Sequence, residues 1–290
     1  MEFKDGKELL ELCEKNNKKI YEICIERECF KSNLNKDEVI KKMQVSFNIM
    51  KESVEAGLNN DKKSLGGLIG GEGKKILNRS KETKSVCGQL MSKAIASAMG
   101  VMEINATMGL VVAAPTAGSC GILPASLMTI KEEFDFSDED IINALFTASA
   151  IGLIVTKNAT VAGAEGGCQA ETGTASAMSS AAIVELMGGS PKQALDAAAI
   201  TFKNIMGLVC DPIAGLVEAP CQKRNAIGVS NALISAEMVL AGVNSIIPFD
   251  EVVEAMYKVG RGLPYELRET ALGGVACTKT GCKITKSIFS

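Results

Sequence analysis

The sequence has no histidine and no tryptophan, and aromatic residues make up only 4% of its 290 positions. Imidazole is the commonest general base and the commonest metal ligand, so its absence excludes Ser-His-Asp triads, Cys-His pairs and histidine metal sites within this chain. Proton transfer must use a lysine, an acid, a tyrosine, a cysteine, a metal-bound hydroxide or a group from a partner chain. The scarcity of aromatic residues also argues against a sheet-rich fold.

Neither sign of charge is in excess. The 31 basic and 34 acidic residues give a net charge of −3, so nucleic acid and anionic membranes are not expected as partners. Ten cysteines, with no charged-then-apolar leader at the N-terminus, are typical of a reducing compartment in which thiols stay free. We therefore expect a cytoplasmic protein that binds a small molecule.

One uncharged stretch, residues 104–130, is long enough to raise the question of a membrane span. Pro115, Gly118, Gly121 and Pro124 interrupt any continuous helix there. We interpret the stretch as two buried segments that meet at a loop, and we expect no membrane as partner.

The composition beyond residue 84 predicts an all-α fold, since small side chains let helices approach closely. Two amphipathic patterns predict helices within 6–32 and 35–56, and Ser137 and Ser190 carry helix-start signals. The further predicted helices lie near residues 85–109, 138–157, 173–187, 191–206, 214–242, 249–259 and 264–273.

We predict one domain overall, with an N-terminal helical arm (1–58), a Gly/Lys-rich loop (59–84) and a helical body (85–290). The loop is not a phosphate-binding P-loop, because Leu68 and Lys75 occupy positions where that pattern needs glycine and Ser or Thr. It is either a backbone-lined binding loop or a solvated connector.

Three cysteines, Cys168, Cys210 and Cys221, each lie in a segment punctuated by glycine, proline or acid: E-G-G-C-Q-A-E, G-L-V-C-D-P-I and E-A-P-C-Q-K-R. Each cysteine alone fits a buried thiol, but together they favour a shared metal. Thiolate-only ligation suits an iron–sulfur cluster better than zinc, which normally takes four compactly spaced ligands. Three ligands without a fourth leave one position open for chemistry.

Five longer motifs stand out: S-L-x-G-L-x-G-G (64–71), E-I-N-A (103–106), A-P-T-A-G-S-C-G-I-L-P-A (114–125), N-A-T-V-A-G-A-E-G-G-C-Q-A-E (158–171) and C-D-P-I-A-G-L-V-E-A-P-C-Q-K-R-N-A-I (210–227). They resemble the iron–sulfur-dependent L-serine dehydratases, and the resemblance extends from about residue 20 to the C-terminus. The chain looks like the separate α chain of the two-subunit form, which implies a β chain as partner.

The resemblance implies a [4Fe-4S] cluster held by Cys168, Cys210 and Cys221. It also implies that the substrate is L-serine, which is converted to pyruvate and ammonia. The processes implied are amino-acid degradation and gluconeogenesis. The open iron would act as a Lewis acid on the substrate hydroxyl.

By the same resemblance, two glycine-rich segments and the residues after the last cysteine would bind the substrate. These residues are Ser64, Gly70, Gly71, Thr116, Gly118, Ser119, Cys120, Gly121, Arg224 and Asn225. We take Glu165, Ser119 and Lys74 as the catalytic candidates. Glu171, Asp211 and Lys75 stay open as alternative bases.

The C-terminus departs from the family pattern G-G-L-A-x-T-P-T-G-K, since residues 273–282 read G-G-V-A-C-T-K-T-G-C. Whether Cys277 or Cys282 caps the open iron is left open. Two other functions also stay open, a pyridoxal-phosphate dehydratase with a Schiff-base lysine and an iron–sulfur electron-transfer protein.

Overall fold

A computed structural model describes residues 2–290 of the chain. Over that range there is no β-strand, and a single two-residue bridge joins Cys210 to Arg268. The helices are α1 (Gly6–Asn16), α2 (Ile20–Ser32), α3 (Lys36–Leu58), α4 (Glu72–Glu82), α5 (Gly88–Ala106), α6 (Ile122–Phe134), α7 (Asp138–Asn158), α8 (Gly163–Gly166), α9 (Cys168–Leu186), α10 (Pro191–Asn204), α11 (Cys221–Leu240), α12 (Phe249–Gly262) and α13 (Lys279–Phe289). The all-α prediction is confirmed.

Helix α9 lies at the centre of the core, where it contacts α6, α7, α10 and α11. Every residue from Cys168 to Glu185 except Glu171 is buried. Its alanines, glycine, serines and threonines allow close approach, and the hydroxyls bond within the helix, as when Ser176 donates to the carbonyl of Thr172 at 2.8 Å. This packing fixes the position of Cys168, the first residue of α9.

Helix starts follow their sequence signals. Ser137 accepts from the amide of Asp140 at the start of α7, and Ser190 accepts from Gln193 before α10, which confirms both predicted starts. Helix α7 is long and apolar enough to cross a membrane by length and composition, and 67% of its most apolar window is buried within the protein.

The uncharged stretch 104–130 is divided by a loop as predicted, but only residues 122–130 form a buried segment, whereas Met108 and Leu110 are exposed. Helix α5 ends at Ala106, helix α6 begins at Ile122, and an irregular segment joins them. Pro124 lies in the first turn of α6, where a missing amide costs no helical hydrogen bond.

Three segments differ from their predicted structure. The predicted loop 59–84 contains α4, which begins once Gly71 has adopted a left-handed conformation (φ 86°). The helix predicted near 214–242 begins only at Cys221. The helix predicted near 264–273 is one short turn, Tyr265–Leu267, because the backbone of Glu269 is left-handed (φ 65°) and bonds to Cys210.

A buried carboxylate ties the N-terminal helices to the core. Glu185 on α9 accepts hydrogen bonds from the amides of Ile20 (2.7 Å) and Tyr21 (3.2 Å) at the start of α2, and from the hydroxyl of Thr147. The Glu185 carboxylate thus satisfies two free amides at the N-terminus of α2, as a capping side chain would. Burial nevertheless raises the pKa of Glu185 above its usual value.

Candidate active site

Cys168 is held at the start of α9 by the glycine before it. Gly167 has a left-handed backbone (φ 74°), and a Cβ there would lie 2.8 Å from the carbonyl oxygen of Leu208. Only glycine therefore fits this turn. The Cys168 sulfur is buried and lies 3.0 Å from the hydroxyl of Thr172.

Cys210 lies between the start of α9 and the C-terminal segment. The side chain of Gln169 accepts from the amide of Gly207 at 2.8 Å, which fixes the approach to Cys210. The Cys210 amide then donates to the carbonyl of Leu267 at 2.9 Å, and the Glu269 amide donates to the carbonyl of Cys210 at 2.7 Å. Contacts on both sides therefore immobilise the cysteine backbone.

Cys221 is the buried first residue of α11, and Arg224 links it to the Cys210 segment. The Arg224 guanidinium lies 2.6 Å from the Asp211 carboxylate and donates to the carbonyl of Val209 at 2.9 Å. Burial alone lowers the pKa of Arg224, but the charges of Cys168 and Asp211 outweigh it, so the pKa is raised. A permanent positive charge therefore lies beside the cysteines.

The three thiols share one buried neighbourhood. Burial raises the pKa of all three thiols, that of Cys221 to about 12 and that of Cys210 most strongly. Charge on the other two sulfurs raises the pKa of Cys210 further. None of them forms a disulfide. Cys168 and Cys221 each begin a helix, where the dipole favours a thiolate once a metal displaces the proton.

The backbone of Gly163 packs closely against Cys210 and two acids. A Cβ at this position would lie 3.0 Å from the sulfur of Cys210, 3.2 Å from the Glu269 carboxylate and 3.4 Å from the Glu171 carboxylate. The missing side chain thus lets the backbone approach Cys210 and the two carboxylates this closely.

The segment 116–121, here called the substrate turn, meets Glu171 on α9. The hydroxyl of Thr116 donates to the Glu171 carboxylate and lies 3.1 Å from the hydroxyl of the buried Ser119. A Cβ on Gly118 would come within 2.5 Å of Glu171, so the turn lies directly against the acid. Burial raises the pKa of Glu171, although the Thr116 bond acts in the opposite direction.

Asn225 joins the substrate turn to α11. Its side-chain amide donates to the carbonyl of Gly118 at 2.8 Å and accepts from the amide of Gly121 at 3.1 Å. Cys120, in the same turn, is fully buried with its sulfur 3.6 Å from that of Met102, and burial raises its pKa to about 12. Asn225 and Gly118 therefore order the turn, while Cys120 packs into the core.

A second glycine-rich segment, residues 60–71, here called the glycine loop, is held by buried carboxylates. The hydroxyl of Ser64 donates to Glu218 at 2.5 Å, and the amide of Gly71 donates to Glu103 at 2.7 Å. The amide of Gly70 donates to Glu72 at 2.5 Å. The loop is therefore an ordered element, tied to the segment that leads into Cys221.

The structure brings together most of the predicted site residues. The three cysteines, Arg224, Asn225 and the substrate turn form one connected group, and the glycine loop joins it through Glu218. Glu165 is exposed on α8, and Lys74 forms an ion pair with Asp61 at 2.6 Å. In the described part of the chain neither side chain bonds to the group around the thiols, and both stay catalytic predictions.

Sequence reasoning did not single out several residues that shape the site. Gln169, Glu103 and Glu218 all lie inside the quoted motifs, so their positions carried a signal whose role was not recognised. Glu269 lay in a predicted helix, and no local pattern marks it. Cys277 and Cys282 are exposed, with their sulfurs directed at the carbonyls of Ala271 and Ala276.

The donor set fits a cluster of several irons. Across residues 2–290 no three Cys, Asp or Glu side chains are arranged to ligate a single metal ion. A multi-iron cluster spreads its thiolates wider than one ion does, and it prefers thiolate-only ligation. Three free, buried thiols with Arg224 beside them match that preference in their chemistry.

Comparison with known proteins gives a consistent result. The sequence matches the model of the family described as Serine dehydratase alpha chain over residues 15–276. It is 46% identical to the Probable L-serine dehydratase, alpha chain, of Bacillus subtilis, over 99% of this chain and 95% of that protein. It is 48% identical to the L-serine dehydratase, alpha chain, of Peptoniphilus asaccharolyticus, over 98% and 97%. The L-serine dehydratase of Streptomyces coelicolor is 34% identical over 97% of this chain but only 62% of that protein.

Proposed function

The chain belongs to the serine dehydratase alpha chain family, and we propose that it is the α chain of an L-serine dehydratase, an L-serine ammonia-lyase that produces pyruvate and ammonia. The observation that carries this proposal is the convergence of three free, buried thiols, the acid Glu171 and two glycine-rich segments at one place. Each of these parts has a task in eliminating water from a β-hydroxy amino acid.

Cys168, Cys210 and Cys221 would hold a [4Fe-4S] cluster. Support comes from the three buried free thiols, whose charges act on one another, and from the Arg224 charge near Cys168 and Cys221. When bound, such a cluster supplies a Lewis acid for the substrate hydroxyl through its iron without a protein ligand.

Arg224 balances the negative charge of the thiolates. Its ion pair with Asp211 and its bond to Val209 hold the guanidinium in place, so the positive charge stays close to Cys168 and Cys221. A fixed positive charge in a buried site is worth more than a mobile one, because the surroundings do not have to reorganise. The role of Arg224 is therefore to stabilise the negatively charged thiolates by its fixed positive charge.

The substrate turn and the glycine loop would bind the L-serine carboxylate. Backbone amides of glycine-rich turns suit a carboxylate because they present several donors without a side chain in the way. Ser119 adds a buried hydroxyl next to Thr116, and Asn225 holds the turn in position. These residues orient the substrate relative to the thiols.

Glu171 would take the proton from the substrate α-carbon. Its carboxylate is the acid nearest the substrate turn, and burial raises its pKa, which makes it a stronger base than an exposed acid. Glu165 is exposed and Lys74 is paired with Asp61, so we prefer Glu171 to either. Thr116 and Gly118 orient the carboxylate, and the proton would rest on one of its oxygens.

A separate β chain would complete the enzyme in the cytoplasm. The two most similar relatives named above are both α chains, whereas the Streptomyces protein extends well beyond the region that this chain matches. We take the additional part of that protein as the counterpart of a β chain.

Anaerobic reconstitution tests the proposal. The chain, co-expressed with its candidate β chain, is loaded with iron and sulfide and assayed for pyruvate from L-serine, with D-serine as the matched control. We expect a brown protein that produces pyruvate from L-serine. A cluster-loaded complex without turnover would overturn the activity. A substrate-dependent change in the magnetic resonance spectrum of the cluster would separate a dehydratase from an electron-transfer protein.

A further inference from the structure

We propose that Glu218 and Glu103 are positioning residues, which hold the glycine loop in its substrate-binding conformation by tying it to the two sides of Cys221. The assignment of L-serine as the ligand of this loop rests on the function proposed above. The carboxylates themselves do not touch the reacting atoms in this account. They act through the backbone of the loop.

Glu218 binds the first half of the glycine loop. Its carboxylate accepts from the amide of Gly66 at 2.7 Å, from the amide of Leu68 at 3.2 Å and from the hydroxyl of Ser64 at 2.5 Å. The Glu218 side chain is buried, and a buried charge is stable only when its oxygens are satisfied. The loop therefore satisfies the buried carboxylate, and the carboxylate in turn fixes the position of the loop.

Glu103 binds the second half of the loop. It is fully buried on α5 and accepts from the amides of Gly71 at 2.7 Å and Gly73 at 3.0 Å. It also accepts from the side-chain amides of Asn60 at 3.0 Å and Gln222 at 2.8 Å. Glu103 thus binds both ends of the loop, Asn60 and Gly71.

Cys221 lies between the two attachment points in the sequence. Glu218 precedes Cys221 by three residues, and Gln222, which donates to Glu103, follows it directly. The glycine loop is therefore fixed relative to the third thiol by contacts on either side. Movement of the loop would have to break contacts to both carboxylates.

Besides these two carboxylates, the loop is held mainly by bonds within its own backbone, such as that from the Ser64 amide to the Ile69 carbonyl at 2.9 Å, and by the bond from the Leu65 amide to the carbonyl of Ala106 at 3.2 Å. It forms no helix or strand, and Lys62, Lys63, Leu65 and Gly67 are exposed, while Ile69 is its one fully buried apolar side chain. A segment of this kind is disordered unless specific contacts offset its conformational entropy. Fixing the loop before substrate arrives lowers the entropic cost of binding.

Glu218→Gln in the cluster-loaded complex tests the proposal. Glutamine has one acceptor oxygen and turns an amide toward the donors of the loop, so we expect the KM for L-serine to rise about tenfold or more while kcat changes by less than about threefold. The absorbance of the cluster should be unchanged. Glu133→Gln makes the same chemical change at an exposed position on α6 and should behave as the parent.

Limited trypsin digestion gives a second measurement that does not depend on turnover. Cleavage after Lys62 or Lys63, identified by mass spectrometry, should be at least about tenfold faster in Glu218→Gln than in the parent, because proteases cut released loops. This result is readable even if the complex has no activity on L-serine, so failure of the loop assignment and failure of the proposed function remain distinguishable.

Gly66→Ala provides a variant that leaves the buried carboxylates intact. A Cβ at Gly66 would lie 2.5 Å from Leu216 and 3.0 Å from both Glu218 oxygens, so it should push the loop off Glu218. Gly262→Ala, where a Cβ meets no atom within 4 Å, is its matched control. Unchanged KM and unchanged cleavage in both Glu218→Gln and Gly66→Ala would overturn the proposal.

Discussion

The hydroxyl of Thr116 donates to the carboxylate of Glu171, across 55 positions of sequence. This contact joins the substrate turn to the first turn of α9, which begins at Cys168. The turn, the acid and the first cysteine are therefore held by the same helix. The bond stabilises the carboxylate, while burial opposes its charge and raises its pKa.

Glu171→Gln should lower kcat by about 100-fold or more, because an amide cannot accept the proton from the substrate. The brown absorbance should persist, since Glu171 is not among the proposed cluster ligands. Steady-state assays of the reconstituted complex measure both. If Glu165→Gln removes activity and Glu171→Gln does not, the exposed acid on α8 is the base instead.

The pH dependence of turnover should carry the signature of Glu171. A base must be deprotonated to act, so the rate should fall as the pH is lowered through the pKa of this carboxyl, which burial raises above its usual 4.5. The acid limb of the kcat profile should be absent from the residual activity of Glu171→Gln. An identical acid limb in both proteins would assign it to another group.

Cys210→Ala should abolish both the brown absorbance and the activity, because two thiols do not retain a cluster that needs three. Cys87→Ala changes an exposed cysteine and should keep both. Iron and sulfide content, measured after anaerobic reconstitution, reports the loss directly. Normal iron content in Cys210→Ala would refute the assignment of this ligand.

Two glycine substitutions should separate cluster binding from catalysis. Gly163→Ala places a methyl 3.0 Å from the sulfur of Cys210, so we expect reduced iron loading. Gly118→Ala places one within 2.5 Å of the Glu171 carboxylate, so we expect normal loading and a kcat lowered by about tenfold. Circular dichroism should show unchanged helix content in both. The reverse pattern of loading and activity would contradict the site geometry.

Glu185→Gln should change how stability depends on pH. Burial raises the pKa of Glu185 from 4.5, so the folded protein binds this proton more tightly than the unfolded chain. The stability of the parent relative to the variant is therefore greatest below about pH 4.5 and declines as the pH rises through the folded-state pKa. Urea unfolding at several pH values measures this, with the exposed Glu52→Gln as control. If the stability of the parent relative to the variant instead increased with rising pH, the pKa of Glu185 would be lowered in the folded protein, contrary to this prediction.

Local sequence signals determined much of the secondary structure. Ser137 and Ser190 begin helices because their side chains bond to amides three residues ahead, a distance that the sequence itself specifies. The segment after Pro264 shows where such local signals fail to determine the structure. Its composition fits a helix, yet the backbone of Glu269 turns left-handed and bonds to Cys210, far away in the chain. Tertiary contacts overrode the local preference there.

The sequence by itself determined the all-α class and marked the three cysteines and the glycine-rich segments as residues of one site, because helix propensity, punctuation and motifs are local properties of the chain. Only the tertiary structure decided which acid lies beside the substrate turn. Glu165 and Glu171 are close in sequence, but one is exposed on α8 and the other faces Thr116 from α9. Likewise, the bonds from Glu103 and Glu218 to the glycine loop depend on how distant helices pack, and no local pattern records such contacts through space.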